Sequence, residues 1–362
     1  MVKRLLCIVS SLNTGGAETF MMKVYRGLDK NKYQIDFVVS ADGFYDSEVR
    51  ELGGKIHNIP LRTEHPFKAL NGIRKIVKQN KYEIVLKLGN APLSVLDLIA
   101  AKLGGAKKCA MRSCNALTNL SFKQRLSDAI FRPFLNKITA VKLAPSDLAA
   151  RYTFGDKKYQ NGQVQILHNG IDLDVFCYDD DARNKIRKEF SLEDNFVVGN
   201  IGRFSKQKNH KFLLSVFSEI RKKNDKAKLL LVGTGELENE IRDLARELGI
   251  ESDIVFAGVR TDIPAILSAM DVFLLTSLYE GMPNTVIEAQ GTGLPCVISD
   301  TITREANITN LVRYLPLNDY GRWASETLEV SAQKRKNTKM DFLDAKYDID
   351  SVRNQFVELL FK

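Results

Sequence analysis

The sequence predicts an α/β protein made of two Rossmann-like, doubly wound parallel-sheet domains facing each other across a cleft. Three observations predict it. Short apolar runs alternate with longer amphipathic stretches from end to end, the pattern of successive βαβ units. The series runs once, then restarts near residue 196. A length of 362 residues suits two ordinary domains better than one.

In the first half, strands are predicted over 5–10, 35–39, 84–88, 109–113 and 138–144, with helices over 18–28, 66–79, 92–103 and 122–134. In the second half, the strands fall at 196–202, 228–232, 254–256, 272–276 and 294–299. Helices over 209–222, 236–248, 262–269, 284–291 and 319–330 separate them. The polar stretch 172–194, with Asp179-Asp-Asp181, reads as the linker between 1–165 and 166–349, and 182–190 within it can form a helix. The last stretch, 350–361, carries Val352, Phe356, Leu359 and Leu360 at helical spacing. Open α/β sheets bind ligands at the carboxyl ends of their strands. Two such edges across a cleft suit a two-substrate enzyme.

Bulk composition narrows the class. No apolar run approaches the roughly 18 residues that span a bilayer. The start, Met1 to Ser10, has a basic end and an apolar run, but it leads into Asn13-Thr-Gly-Gly-Ala-Glu18 without a cleavage pattern and reads as a first strand. Cys7, Cys109, Cys114, Cys177 and Cys296 are scattered, with no C-x-x-C pair. They suggest neither a zinc site nor a disulfide framework, so a reducing cytoplasm is expected. Residues 1–165 hold 27 Lys/Arg against 13 Asp/Glu, a balance of +14, and the remainder 26 against 31, a balance of −5. The first half therefore fits an anionic partner, or carries ordinary solubility charge. Nucleic acid is not expected, because no zinc-finger spacing or RNP-type aromatic pattern accompanies the charge.

The strongest chemical signal is Glu280-Gly-Met-Pro-Asn-Thr-Val-Ile-Glu288. Two carboxylates flank a helix start, where Pro283 suits the first turn and free N–H groups around Asn284 to Val286 form a partial positive pole. Glu288 lies roughly 6 Å further along the axis at 1.5 Å per residue. Upstream, Arg203 and Lys208 follow the first strand of the second half. Arg can hold two phosphate oxygens at once and Lys supplies a point charge. Cations for a diphosphate, with acids left free for hydroxyls, suggest a nucleotide-sugar site. Alternatively, Glu280 is a solvated loop acid and Glu288 a surface helix residue. Gly15-Gly16 and Gly233-Thr-Gly235 are either tight turns or places where backbone approaches a ligand; neither is G-x-G-x-x-G. The four histidines sit in no nucleophile elbow. Asp172-Leu-Asp174 and Asp348-Ile-Asp350 read as turn or cap chemistry, so no metal is expected. Over 122–134, Phe122, Leu126, Ile130, Phe131 and Phe134 interleave with Lys123, Arg125 and Arg132. That stretch either lies on an anionic membrane or packs on its own sheet.

Asn13-Thr-Gly-Gly-Ala-Glu18, His168-Asn-Gly-Ile-Asp172, Gly202-Arg…Lys208, Leu231-Val-Gly-Thr-Gly235, Phe256-Ala-Gly258 and Glu280-x7-Glu288 occur in order. Together they resemble glycosyltransferase family 4, the retaining enzymes of the GT-B fold. The run Ser299 to Glu305 resembles its capsular and exopolysaccharide branch. The resemblance implies that Arg203 and Lys208 neutralise a donor diphosphate, Glu280 binds the transferred sugar and Glu288 the ribose. Backbone near Gly15, Gly16, Asn284 and Thr285 would approach sugar or phosphates, and that near Val259 the base. It implies a donor domain at 166–349 and an acceptor domain at 1–165, onto which the terminal helix crosses back. A nucleotide sugar (a UDP-sugar) and a glycan or polyprenyl-linked acceptor are the expected partners, without cofactor or metal. The expected place is cytoplasmic, peripheral at the inner membrane face. Relatives carry first-domain histidines where this chain has Arg112-Ser-Cys114-Asn115, which leaves one donor-sugar contact unassigned. The alternatives are a nucleotide-sugar epimerase or hydrolase of this fold, a glycoside hydrolase using Glu280 and Glu288, and a non-catalytic sugar-nucleotide-binding subunit.

Overall fold

The computed structural model describes residues 2–114 and 121–362. It divides into two compact units, residues 1–170 with 349–362, and residues 171–348. The first unit is a seven-stranded parallel sheet: β1 (Lys3–Ile8), β2 (Tyr33–Val39), β3 (Ile56–Asn58), β4 (Ile84–Gly89), β5 (Lys108–Ser113), β6 (Val141–Ala144) and β7 (Gln165–Ile166). Its spatial order is β3-β2-β1-β4-β5-β6-β7. The second is a six-stranded parallel sheet of β8 (Phe196–Ile201), β9 (Ala227–Val232), β10 (Ile254–Phe256), β11 (Val272–Leu275), β12 (Cys296–Ser299) and β13 (Val312–Leu315). Its order is β10-β9-β8-β11-β12-β13.

Both sheets are buried on two faces, which explains why their strands are nearly continuous apolar runs. Side chains alternate in direction along a strand. Leu5 and Cys7 pack on one side of β1 while Leu6 and Ile8 pack on the other. In the second unit Leu229 and Leu231 face one core, and Leu230 and Val232 the other. The strand order reverses direction beside β1 and again beside β8, each of which pairs with two later strands. Such a reversal opens a crevice at the strands' carboxyl ends.

The terminal helix, Ile349–Phe361, buries Val352, Phe356, Leu360 and Phe361 in the core of the first unit. The chain passes between the units at Gly170–Ile171 and at Asp348–Ile349. Gly170 has φ +66°, and a Cβ there would lie 3.0 Å from the Ile349 side chain. Its place in His168-Asn-Gly-Ile-Asp172 thus has a steric cause.

The segment 172–194, read from sequence as a linker, lies inside the second unit. Its helix, Asp180–Glu189, is docked by Arg183 and Arg187, which both bind Asp271 at 2.6 and 2.7 Å and donate to the carbonyls of Ser268 and Ala269. High polarity suggested a solvated tether; those charges are instead paired across to the sheet. Strands β3, β7 and β13 were also absent from the sequence reading.

Candidate active site

The reversal beside β8 brings two loops together, the one after β8 and the one after β11. They are stitched by backbone and side chain. Leu278 N–H donates to the Gln207 carbonyl at 2.9 Å, and Thr276 Oγ1 donates to the carbonyls of Lys208 and Asn209 at 3.2 Å. Lys208 Nζ donates to Glu280 Oε1 at 2.7 Å. Ser277 Oγ donates to the same oxygen at 2.7 Å, and Gln207 Nε2 reaches the Tyr279 carbonyl at 2.9 Å. The loop after β12 joins in through Thr301 Oγ1, 3.3 Å from the Ser277 carbonyl.

This geometry corrects one expectation. Glu280 is not left free for hydroxyls: its side chain is 11% exposed and that of Lys208 17%. A carboxylate that is nearly out of water is costly unless paired and hydrogen-bonded. Lys208 and Ser277 meet that need, and they hold both charges at the carboxyl ends of β8 and β11. Ser277 and Gln207 went unnoticed in the sequence. A hydroxyl directly after an apolar strand was the available signal for Ser277.

Arg203 does not converge with Lys208 on a shared partner. Its side chain is 74% exposed, and it binds Glu236 at 3.0 Å on the loop after β9. That loop is drawn in by close backbone contact. Gly233 has φ +131°, and a Cβ there would overlap the Gly202 carbonyl oxygen. Phe204 N–H donates to the Thr234 carbonyl at 2.9 Å, and Gly233 N–H to that of Gly258 at 2.8 Å. Gly233-Thr-Gly235 is therefore a packing motif that joins the loops after β8, β9 and β10. Val259, beside Gly258, is exposed at the tip of the third.

The helix Asn284–Gly291 follows Glu280. Pro283 is its cap residue rather than its first turn. Its carbonyl accepts from the N–H of Val286 at 3.0 Å, so that N–H is not available to a ligand as the sequence suggested. Asn284, Thr285 and Glu288 are half-buried. The far end of the helix is fixed by side chains that the sequence reading missed. Gln290 is fully buried; it donates to the Ala306 carbonyl at 2.6 Å and accepts from Ile308 N–H at 2.9 Å. Thr338 Oγ1 donates to the Gln290 carbonyl at 2.8 Å. Arg335 donates to the carbonyls of Thr292 and Leu267, both at 2.8 Å, and lies over the Tyr178 ring at 4.9 Å. A cation at a helix carboxyl end complements its dipole. Burial pulls the Arg335 pKa down to about 10. Arg335 follows a polar run with no local pattern, so only tertiary structure reveals it.

His210 stands two residues after Lys208. It is buried edge-on to Phe204, with ring centroids 4.8 Å apart. Burial, reinforced by the Lys208 charge, lowers its pKa to about 4.

The reversal beside β1 is chemically different. Gly15 and Gly16 are exposed at the start of the helix Gly16–Gly27. The Glu18 carboxylate folds over Gly15, where a Cβ would overlap it, so the chain supplies an acid of its own at this pole. Lys87 is buried and bonded to Asp97 at 3.0 Å. Arg112, at the end of β5, is fully buried over the Phe20 ring at 3.7 Å. It donates to the Leu167 carbonyl at 2.9 Å and Asn169 Oδ1 at 2.7 Å. Arg112 thus secures the segment entering the crossing and does not stand in for an imidazole; Asn115 lies outside the described residues. Among the described residues, no group of three or more His, Cys, Asp or Glu is placed to hold a metal ion. No helix among them is long and apolar enough to cross a membrane.

Two doubly wound parallel sheets, with a cation–carboxylate pair at the strand-order reversal of the second, define a GT-B fold. The family profile described as Glycosyltransferase Family 4 matches residues 14–175, and that described as Glycosyl transferases group 1 matches residues 195–330. A Bacillus subtilis protein named as glycosyltransferase EpsF is 30% identical over 357 residues, covering 96% of this chain and 93% of that one. The Escherichia coli UDP-Gal:alpha-D-GlcNAc-diphosphoundecaprenol alpha-1,3-galactosyltransferase is 26% identical over 337 residues, covering 89% and 86%. The crystal structure of Anabaena HepE in complex with UDP superposes with a TM-score of 0.80 at 19% identity, covering 99% of each chain. The chain belongs to the family 4 glycosyltransferases and is a transferase.

Proposed function

We propose that this enzyme is a retaining glycosyltransferase that moves a sugar from a nucleotide sugar, a UDP-sugar, to a glycan or polyprenyl-linked acceptor in cell-surface polysaccharide biosynthesis. The observation that carries the reading is the Lys208–Glu280 pair, held by Ser277 where the strand order reverses. The names of the relatives support the substrate classes. One uses UDP-galactose and a diphosphoundecaprenol-linked acceptor, and HepE was crystallised with UDP.

In this reading the donor binds the second unit. Its diphosphate draws Lys208 away from Glu280 and Arg203 away from Glu236, replacing two internal ion pairs. Glu280, relieved of Lys208, accepts hydroxyls of the transferred sugar. Glu288 accepts those of the ribose, and the base lies by the backbone at Val259. Backbone at Asn284 and Thr285 approaches the phosphates and sugar. The acceptor hydroxyl attacks from the face the diphosphate leaves, and the departing phosphate oxygen takes its proton. The protein's task is then to stabilise charge on the leaving group, and neither a metal nor a protein base is needed. The expected place is cytoplasmic, at the inner face of the membrane that carries the acceptor.

The test is a thermal-shift screen against UDP-, GDP- and ADP-sugars, followed by acceptor trials with the best donor. The reading expects a UDP-sugar to stabilise the protein and its sugar to appear on a polyprenyl-diphosphate glycan with anomeric configuration kept. Free sugar formed without acceptor would point to the hydrolase alternative. Binding without transfer to any acceptor would point to a non-catalytic subunit.

A further inference from the structure

The helix Phe122–Ile138 carries two apolar faces: Leu135, with the half-buried Phe131 and Ile138, packs on the core of the first unit, and the other face points outward. Its fully buried side chains are Asp128 and Leu135. Phe122, Leu126, Ile130 and Phe134 are instead 81%, 53%, 50% and 56% exposed. They recur every four residues, so they occupy one face about 120° wide and about 18 Å long. Pro133 is exposed on the same face, and the turn Pro92–Ser94, which abuts this helix, exposes Leu93 beside it. The helix Pro66–Asn80, by contrast, buries Ala69, Ile73 and Val77. Exposed apolar patches of this kind mark interaction surfaces.

The flanking charges say which kind. Lys123, Arg125 and Lys137 are exposed on the helix. Its one acid, Asp128, is buried and accepts from the Tyr152 hydroxyl at 3.3 Å. From Lys102 to Lys142 the sequence holds nine Lys/Arg and that single Asp. Protein–protein interfaces are depleted in lysine. A basic rim around Phe and Leu with no exposed acid is instead the composition of a helix lying in the headgroup region of an anionic bilayer. The first half of the chain, at +14, carries the same sign.

We propose that the exposed face of Phe122–Ile138 docks the first unit on an anionic lipid surface, with the four apolar side chains entering the acyl boundary and the basic residues meeting phosphate headgroups. The inference rests on the membrane placement proposed above and names the surface that makes the contact, while it is independent of the donor chemistry.

Co-sedimentation of the full chain with phosphatidylcholine vesicles, with and without phosphatidylglycerol, tests it. Wild-type protein is expected to partition onto the anionic vesicles and to be released by salt. Phe122→Ser/Phe134→Ser should lower that partitioning about tenfold or more, with thermal stability and nucleotide affinity unchanged. Lys123→Gln/Lys137→Gln should remove the preference for phosphatidylglycerol while leaving the fold intact. Equal binding to both vesicle types, or an apolar variant that binds like wild type, would overturn the proposal. So would a wild-type dimer in solution that the serine variant dissolves, since the face would then serve a second copy. Nucleotide affinity is read on the same samples, so a failed donor site and a failed docking face give different results.

Discussion

The two sheets share one strand order, yet their reversal points hold charge in different ways. In the second unit, Lys208 and Glu280 sit at the rim, partly exposed and paired by contacts a ligand can replace. In the first, Lys87 and Arg112 are sunk in the core, committed to Asp97, to Phe20 and to the segment 167–169. Topology places a crevice in both units. Whether it binds a diphosphate depends on whether its cations can leave their partners. The Lys208–Glu280 pair is nearly out of water, so it parts only for an anion that takes over the Lys208 charge, and a diphosphate at the rim can do so; the pairs in the core have no such access.

Substitutions separate the two cases. Lys208→Ala is expected to have the largest effect, lowering transfer about 100- to 1000-fold, the scale seen when one group stabilising transition-state charge is removed. Steady-state kinetics with the preferred donor checks it, and Lys208→Arg should recover part of the loss. Arg112→Met comes next and acts on a different quantity. It removes the hydrogen bonds that Arg112 gives to the Leu167 carbonyl and Asn169, which should cost about 3 kcal/mol of stability. Denaturant unfolding would report that loss while nucleotide affinity stays within about twofold. Equal effects of the two substitutions on nucleotide binding would erase the distinction between rim and core.

Arg203→Ala is expected to be milder than Lys208→Ala, about 10- to 100-fold in kcat/KM. Arg203 is exposed and gives up only Glu236. It should not lower thermal stability.

The smallest effect is one of pH. His210 is neutral in the folded protein, with its pKa lowered to about 4, while the unfolded chain titrates near 6.5. The unfolded state therefore binds more protons between those values, and stability falls as pH drops through that window. It is fully present above about pH 6.5. At pH 5.5 the loss should be about 1 kcal/mol. Burial lowers the pKa of His57 and His168 as well, so His210→Leu should flatten the dependence of Tm on pH in part. An unchanged slope would show that His210 is not held neutral.

The sequence made the fold legible because both sheets are buried on two faces, so their central strands are uninterrupted apolar runs. It concealed β3, β7 and β13, which are edge strands of two to four residues with little apolar patterning. It misread 172–194 because a docked polar helix and a solvated tether look alike until Asp271 is seen between Arg183 and Arg187. At the candidate site, the positions of Arg203, Lys208, Glu280 and Glu288 after strands and around a helix start were legible. The pairing of Lys208 with Glu280 was not, since the two stand 72 residues apart. The supports Gln290, Thr338 and Arg335 were equally hidden, because each acts on backbone carbonyls that no side-chain pattern records.

In the proposed mode of binding, the second unit takes the donor's diphosphate by exchanging the Lys208–Glu280 and Arg203–Glu236 pairs for phosphate contacts. Isothermal titration calorimetry of UDP against wild-type protein, Lys208→Ala and Arg203→Ala measures this directly. Saturable binding to the wild type is expected, with about tenfold or greater weakening in Lys208→Ala and a smaller loss in Arg203→Ala. If UDP, GDP and ADP all failed to bind the wild type, or if the two variants bound as tightly as it does, Lys208 and Arg203 would not be the groups that hold a diphosphate.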